Sequence, residues 1–72
     1  MRLLTMPGCM PCKMVKQYFQ DNNIEADIID VTENEDLVEK YQIKQTPSLI
    51  LDDDTVLAGK DNIIDHFEDE EN

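Results

Sequence analysis

Basic residues are scarce in this chain: six Lys and Arg face 17 Asp and Glu, a formal net charge of −11 over 72 residues. No nucleic-acid partner is expected, because the electrostatic term toward phosphates would be repulsive. Long apolar runs are missing as well. None approaches the roughly 20 residues that cross a bilayer, and the apolar stretch within residues 1–6 is too short for a signal-peptide core. The expectation is a chain that starts directly in its fold, has no membrane partner and works in a reducing cytoplasm. Histidine occurs once, as His66, and cysteine twice. Small secreted scaffolds usually carry four or more cysteines that bridge distant segments, so a disulfide framework is not the reading. One distant histidine and two cysteines also cannot supply four zinc ligands from one chain, and no metal is expected.

The two cysteines sit close together, in Cys9-Met10-Pro11-Cys12. A bridge between them would close almost no loop, so as a permanent staple it would add little stability. Two cysteines separated by two residues, where a strand gives way to a helix, suit reversible dithiol–disulfide chemistry instead. A second signal strengthens the first. Thr46-Pro47 stands directly before the apolar run Ser48-Leu49-Ile50-Leu51, and an X-Pro preceding a strand at this distance makes the cysteine pair far more specific.

Seventy-two residues make one domain, 1–72, near the lower limit for folding on a single core. Such a chain hides only roughly 60% of the surface its unfolded form exposes. The apolar residues, 40% of the total, are clustered and periodic, which argues for a packed domain over disorder. Charge is uneven: residues 52–72 hold nine carboxylates against Lys60, whereas Lys13 and Lys16 lie just after the cysteine pair. Most of the acidic excess serves solubility.

Arg2 to Met6 reads as a short strand ended by Pro7-Gly8. From Met10 to Gln20 the pattern is helical, with Cys12, Val15 and Phe19 on one face and Pro11 in the first turn, where its missing N–H costs nothing. Ile24 to Val31 reads as a second strand. Thr32-Glu33-Asn34-Glu35 has the spacing of a capping box before a helix with Leu37, Val38 and Tyr41 on one face. Ser48 to Leu51 is a third strand, Asp52-Asp53-Asp54 a turn and Thr55 to Ala58 a fourth strand. Asp61 is placed to cap a last helix with Ile63, Ile64 and Phe67 as its apolar stripe. Glu68 to Asn72 reads as an acidic frayed tail. The order is βαβαββα, an α/β fold: strands one and two parallel through a helix, strands three and four antiparallel through a tight turn, in a four-stranded mixed sheet with helices on both faces.

This arrangement resembles the thioredoxin fold in its smallest form, the size of glutaredoxins and glutaredoxin-like redoxins. The resemblance rests on Pro7-Gly8-Cys9-Met10-Pro11-Cys12-Lys13 and on Tyr41-Gln42-Ile43-Lys44-Gln45-Thr46-Pro47, and covers essentially the whole chain. Proline before the second cysteine and lysine after it look like thioredoxin. Gly8 stands where thioredoxins usually have tryptophan, and their extra first strand and helix are absent. Ala58-Gly59-Lys60-Asp61-Asn62 is similar to a degraded form of the segment with which glutaredoxins hold glutathione. This mixture is typical of the small redoxins that serve ribonucleotide reductase.

The resemblance implies a monomeric thiol–disulfide oxidoreductase acting in electron transport and cell redox homeostasis. It would need no bound cofactor beyond a redox-active Cys9–Cys12 disulfide. Cys9, at the helix start, is the expected nucleophile; Cys12, a turn inside on the apolar face, is the expected resolving thiol. Thr46-Pro47 is expected to be cis and, with Met10 and Pro11, to meet the substrate. Gly59, Lys60 and Asp61 are the candidate glutathione contacts. Expected partners are protein disulfides, ribonucleotide reductase among them, with thioredoxin reductase or glutathione as reductant. A glutathione-dependent glutaredoxin is the alternative, and a non-catalytic binding subunit a third reading. Met6 and Met14 are expected to fill the core, and His66 to face solvent rather than act as a base.

Overall fold

Two adjacent leucines in β1 (Arg2–Thr5) decide the layering. Leu3 and Leu4 point to opposite faces of the strand, and both are fully buried, so the strand must be covered on both sides. The structure, a computed structural model, describes the backbone of residues 1–70 and the side chains of residues 1–68. With β2 (Asp27–Asp30), β3 (Ser48–Ile50) and β4 (Val56–Ala58), the sheet order is β2-β1-β3-β4. β1 pairs with β2 in parallel, Thr5 beside Asp30; β3 runs antiparallel to both β1 and β4. The chain forms the minimal thioredoxin-type α/β fold that its motifs implied.

On one face, Leu3 and Leu49 meet Val15 and Phe19 of α1 (Met10–Asp21) and Ile63 of α3 (Lys60–Glu70) in a single apolar cluster. The Phe19 and Phe67 rings meet edge to face at 5.3 Å and tie the two helices together. On the other face Leu4 and Ile50 are fully buried. There Arg2, in register with Leu4, lies 5.4 Å from the Tyr41 ring and donates to its hydroxyl at 2.9 Å. Tyr41 ends α2 (Glu35–Lys40), so this helix covers the second face.

Local chemistry moves several boundaries. β2 starts at Asp27 rather than Ile24, because the chain is still leaving α1: Asn23 is left-handed (φ 54°) and the Ile24 N–H bonds the Phe19 carbonyl at 2.8 Å. Ile24 and Ala26 pack against the core without joining the sheet. The expected capping box does not form. Asp30 accepts from the Thr32 N–H at 2.8 Å and from its hydroxyl at 2.6 Å, which ties up Thr32 in a 3-10 turn over Val31–Glu33. Asn34 then precedes α2 without a side-chain cap. Asp61 lies within the first turn of α3 rather than capping it, since Gly59 (φ +91°) makes the turn and its carbonyl receives the Ile63 N–H. α3 continues through Glu70, past Glu68 where the tail was expected to begin; residues 71–72 lie outside the described residues.

Candidate active site

The cysteine loop is made by a turn and a helix cap. Gly8 takes φ +78°, a left-handed conformation that a side chain would oppose, and the Cys9 N–H bonds the Met6 carbonyl at 3.2 Å. Cys9 is then the N-cap of α1, with extended backbone and its sulfur accepting from the Cys12 N–H at 3.3 Å. Pro11 sits in the first turn, where no intrahelical donor is needed. Cys9 and Cys12 are joined as a disulfide with Cα atoms 5.3 Å apart. Their environments differ sharply. Cys9 is half-buried, whereas Cys12 is 1% exposed, in line with Val15 and Phe19 on the buried face of the helix.

The second signal arrives from across the sheet. The Thr46–Pro47 bond is cis. Thr46 lies against the disulfide: its hydroxyl donates to Cys9 Sγ at 3.6 Å, and its carbonyl oxygen is 3.8 Å from the same sulfur. Pro47 is fully buried, and its carbonyl accepts from the Gly59 N–H at 2.9 Å. The Ser48 hydroxyl bonds the Gln45 carbonyl at 2.6 Å. These bonds fasten the proline segment to both β3 and the start of α3. An open hollow of about 340 Å³ therefore joins Pro11, Thr46 and Pro47 to Gly59, Lys60 and Asp61, uniting residues that are far apart in sequence. Within it Lys60 Nζ faces Asp61 Oδ1 at 3.7 Å, which offsets much of its charge.

Met10 projects into solvent and lines none of the hollows described here. Met6 and Met14 do not fill the core, contrary to expectation; they are 45% and 52% exposed. The reason is topological for Met6: it follows the last paired residue of β1, beyond the cover that shields Leu4. Met14 lies on α1 beside Lys13, off the Cys12–Val15–Phe19 stripe. His66 is half-buried, its ring edge-on to Phe67 at 5.1 Å, beside Met1 and Asp53 at the opposite end of β1 from the cysteines.

Sequence reasoning missed Asp30 and gave Lys16 no role. Both line a hollow of about 300 Å³ with Cys9, Gly8, Met6 and Lys13. The Asp30 carboxyl is held below its usual range, first by the hydroxyl and backbone hydrogen bonds from Thr32 and then by the charge of Lys16. Only the parallel pairing of Thr5 with Asp30 brings residue 30 beside residue 9, and no spacing in the sequence announces it. Among the described residues no group of three or more His, Cys, Asp and Glu is placed to hold a metal ion, and no helix is long and apolar enough to cross a membrane.

A family model described as "Thioredoxin domain" matches residues 2–67. The chain belongs to the thioredoxin family. This thioredoxin-family chain is 36% identical over 53 residues to the SPbeta prophage-derived thioredoxin-like protein YosR of Bacillus subtilis (strain 168), a match covering 71% of this chain and 66% of that protein. It is 41% identical over 32 residues to the Gene 56 protein of Mycobacterium phage D29, covering 44% of this chain and 36% of that one. The chain thus spans less than two thirds of the length of these curated relatives. Among solved structures, the thioredoxin-like protein BC3987 superposes with a TM-score of 0.78 at 28% identity, over 94% of each chain. Family, fold and the bonded cysteine pair support a redox function in general for this thioredoxin-family member.

Proposed function

We propose that the protein reduces protein disulfides by thiol–disulfide exchange, with Cys9 as nucleophile and Cys12 as resolving thiol. The observation that carries this reading is the asymmetry of the pair: Cys9 is half-buried at a helix cap, and Cys12 is 1% exposed one turn inside. Exchange requires a thiolate. In the dithiol form the Cys12 N–H, the Thr46 hydroxyl and the positive end of α1 all favour negative charge on Cys9 sulfur. That thiolate attacks one sulfur of the substrate disulfide, forming a mixed disulfide and releasing the other sulfur, which takes up a proton. Cys12 then loses its proton and attacks Cys9 sulfur, releasing the second substrate thiol and closing the Cys9–Cys12 disulfide. Two electrons pass to the substrate.

Thr46 precedes the β3 ladder, which begins at Ser48, so its main chain is suited to pairing with an extended substrate segment beside the disulfide. Pro11 continues that contact surface, Met10 is its exposed outer member, and the buried Pro47 supports Thr46 from beneath. The protein works without a bound cofactor, as a monomeric domain over 1–72 in the cytoplasm, and is regenerated by a flavoprotein thioredoxin reductase. A ribonucleotide reductase is its candidate electron acceptor. The potential expected lies between about −270 and −200 mV.

A second reading is favoured by one observation. The hollow beside Thr46 and Pro11 includes Gly59, Lys60 and Asp61, where a glutathione adduct on Cys9 would lie. The Lys60–Asp61 pair weakens it, because glutathione brings two carboxylates to a lysine already offset. Coupled turnover separates the readings: NADPH with thioredoxin reductase in one reaction, glutathione with its reductase in the other. Faster turnover with thioredoxin reductase is expected. Efficient turnover of a glutathionylated substrate with no reduction by thioredoxin reductase would make the protein a glutaredoxin.

A further inference from the structure

The charge of the chain is segregated in a way the net value hides. Residues 1–20 contain no Asp or Glu, and their cations are Arg2, Lys13 and Lys16. Arg2 is engaged by Tyr41 and Asp54 at the far end of β1. Lys13 makes no ion pair among the described residues, and it lines the hollow beside Cys9 together with Lys16. Asp30 is the one carboxylate in that hollow, set against the two lysines. On the opposite flank, toward α3, Lys60 is offset by Asp61. The surface next to the attacking sulfur is therefore cationic on the flank away from α3.

A mainly apolar groove of about 190 Å³ adjoins it, lined by Met6, Val31, Val38, Ile43 and Thr46 with Lys44 and Gln45 as its polar members, so a third lysine stands on the same flank. Met6 belongs to both hollows, and Thr46 touches Cys9 sulfur, so groove and lysines flank the same reactive atom. The exposed thioethers of Met6 and Met14 are soft, adaptable contact surface of the kind binding sites use. The acidic turn at Asp52–Asp54 lies five strand residues beyond Pro47, about 16 Å along β3. That is about two Debye lengths at physiological salt, so its repulsion is screened at the site while contact pairs with Lys13 and Lys16 are not.

Resting on the disulfide-reduction reading, we propose that this surface selects a partner segment that carries an apolar side chain and a carboxylate next to its disulfide. The apolar side chain enters the Met6–Val31–Val38–Ile43 groove, and the carboxylate meets Lys13 and Lys16. Charge pairs at a rim act mainly on encounter rate and register, and they weaken with salt.

The test uses the full chain, reduced with dithiothreitol and freed of it, in single-turnover reactions with synthetic peptide disulfides. Three peptides share one apolar side chain and differ only in flanking residues, two Glu, two Gln or two Lys; a fourth replaces the apolar side chain of the Glu peptide with Ser. At about 150 mM salt, where the acidic turn is screened, the Glu peptide should react roughly fivefold faster than the Lys peptide, with Gln between, and the spread should collapse near about 500 mM. The Lys13→Glu, Lys16→Glu double variant should invert the order, and the Ser peptide should react severalfold more slowly. Equal rates for the three charged and neutral peptides at the lower salt, or a preference for Lys, would overturn the charge selection. An unchanged rate with Ser would overturn the groove's part. Reduction of none of the peptides would overturn the disulfide-reduction reading itself, and this inference with it.

Discussion

Asp30 and Asp53 use one local device at opposite ends of the sheet. Each accepts a hydrogen bond from the N–H of a threonine two residues on, Thr32 and Thr55, and each carboxyl is held below its usual range first by that threonine's hydroxyl and then by its N–H. Their surroundings differ. Asp53 closes the turn between β3 and β4, near His66, the Met1 ammonium paired with Asp52 at 2.8 Å, and the Arg2–Tyr41–Asp54 contacts. Asp30 stands next to Thr5 across a parallel pair, and so beside Cys9 and Lys16. The same three-residue motif is a turn fastener at one end and lines the hollow beside Cys9 at the other. Position in the sheet, not local chemistry, makes the difference.

The largest break in that comparison is expected at the cysteines. Cys9→Ser should lower turnover of a protein disulfide by more than about a thousandfold, the scale for removing a nucleophile. Cys12→Ser should stop after one attack and accumulate a mixed disulfide visible on a non-reducing gel. Asp53→Asn, at the far end, should leave turnover within about twofold. Comparable losses at both ends would dissolve the distinction, and faster alkylation of Cys12 than of Cys9 at neutral pH would reverse their roles.

Stability and activity should separate next. Gly59→Ala forces a side chain into φ +91°, costing about 1–2 kcal/mol from backbone strain. The added methyl itself meets only Gln45, at an ordinary 3.6 Å. Tyr41→Phe removes the hydroxyl that accepts from Arg2 and donates to Asp54, costing about 0.5–1.5 kcal/mol. Urea denaturation should thus find the two losses similar. Turnover should not: Gly59 bonds the carbonyl of Pro47, the residue after the Thr46 that touches Cys9 sulfur, while Tyr41 lies at the other end, so only Gly59→Ala should slow exchange. Equal activity in the two variants would mean that the Gly59–Pro47 bond has no part in the site.

The smallest effects concern acid. Both carboxyls titrate lower when folded than unfolded, so each contributes stability above its unfolded pKa, near about 3.9. That contribution is lost as pH falls through the folded value, in the window below about pH 4. In NMR titrations, Thr32→Val should raise the Asp30 pKa and Thr55→Val that of Asp53. Lys16→Met should raise Asp30 alone, by less than Thr32→Val. A shift of Asp53 in Lys16→Met would show that the two ends are electrostatically coupled.

Much of the fold was legible because its signals are local. The cysteine pair, Pro11 in the first turn and the Cys12–Val15–Phe19 stripe announce α1 and the unequal exposure of the two thiols, since helical periodicity acts over a few residues. The acidic turn and its flanking strands were equally plain. Three things were not. Thr32 offered a capping box, but the competing carboxylate of Asp30 took its hydroxyl. Ile24 and Ala26 alternate like a strand, yet the exit from α1 delays pairing until Asp27. Met6 and Met14 have core-like side chains in places where no element covers them.

By itself the sequence determined the element order, the thiol pair at a helix start and the proline before β3, because each depends on propensity, capping or short-range periodicity. It also determined the charge, but not its arrangement around the site. Only the tertiary structure decided that Thr46 meets Cys9 sulfur, that Gly59 anchors Pro47, and that Asp30 and Lys16 share a hollow with Cys9. Gly59 reaches Pro47 through the β3–β4 hairpin, and the other two contacts are set by strand pairing between segments 25 to 48 residues apart. No local rule spans that distance; the pairing is chosen by burying Leu3 and Leu4 on both faces of β1 at once.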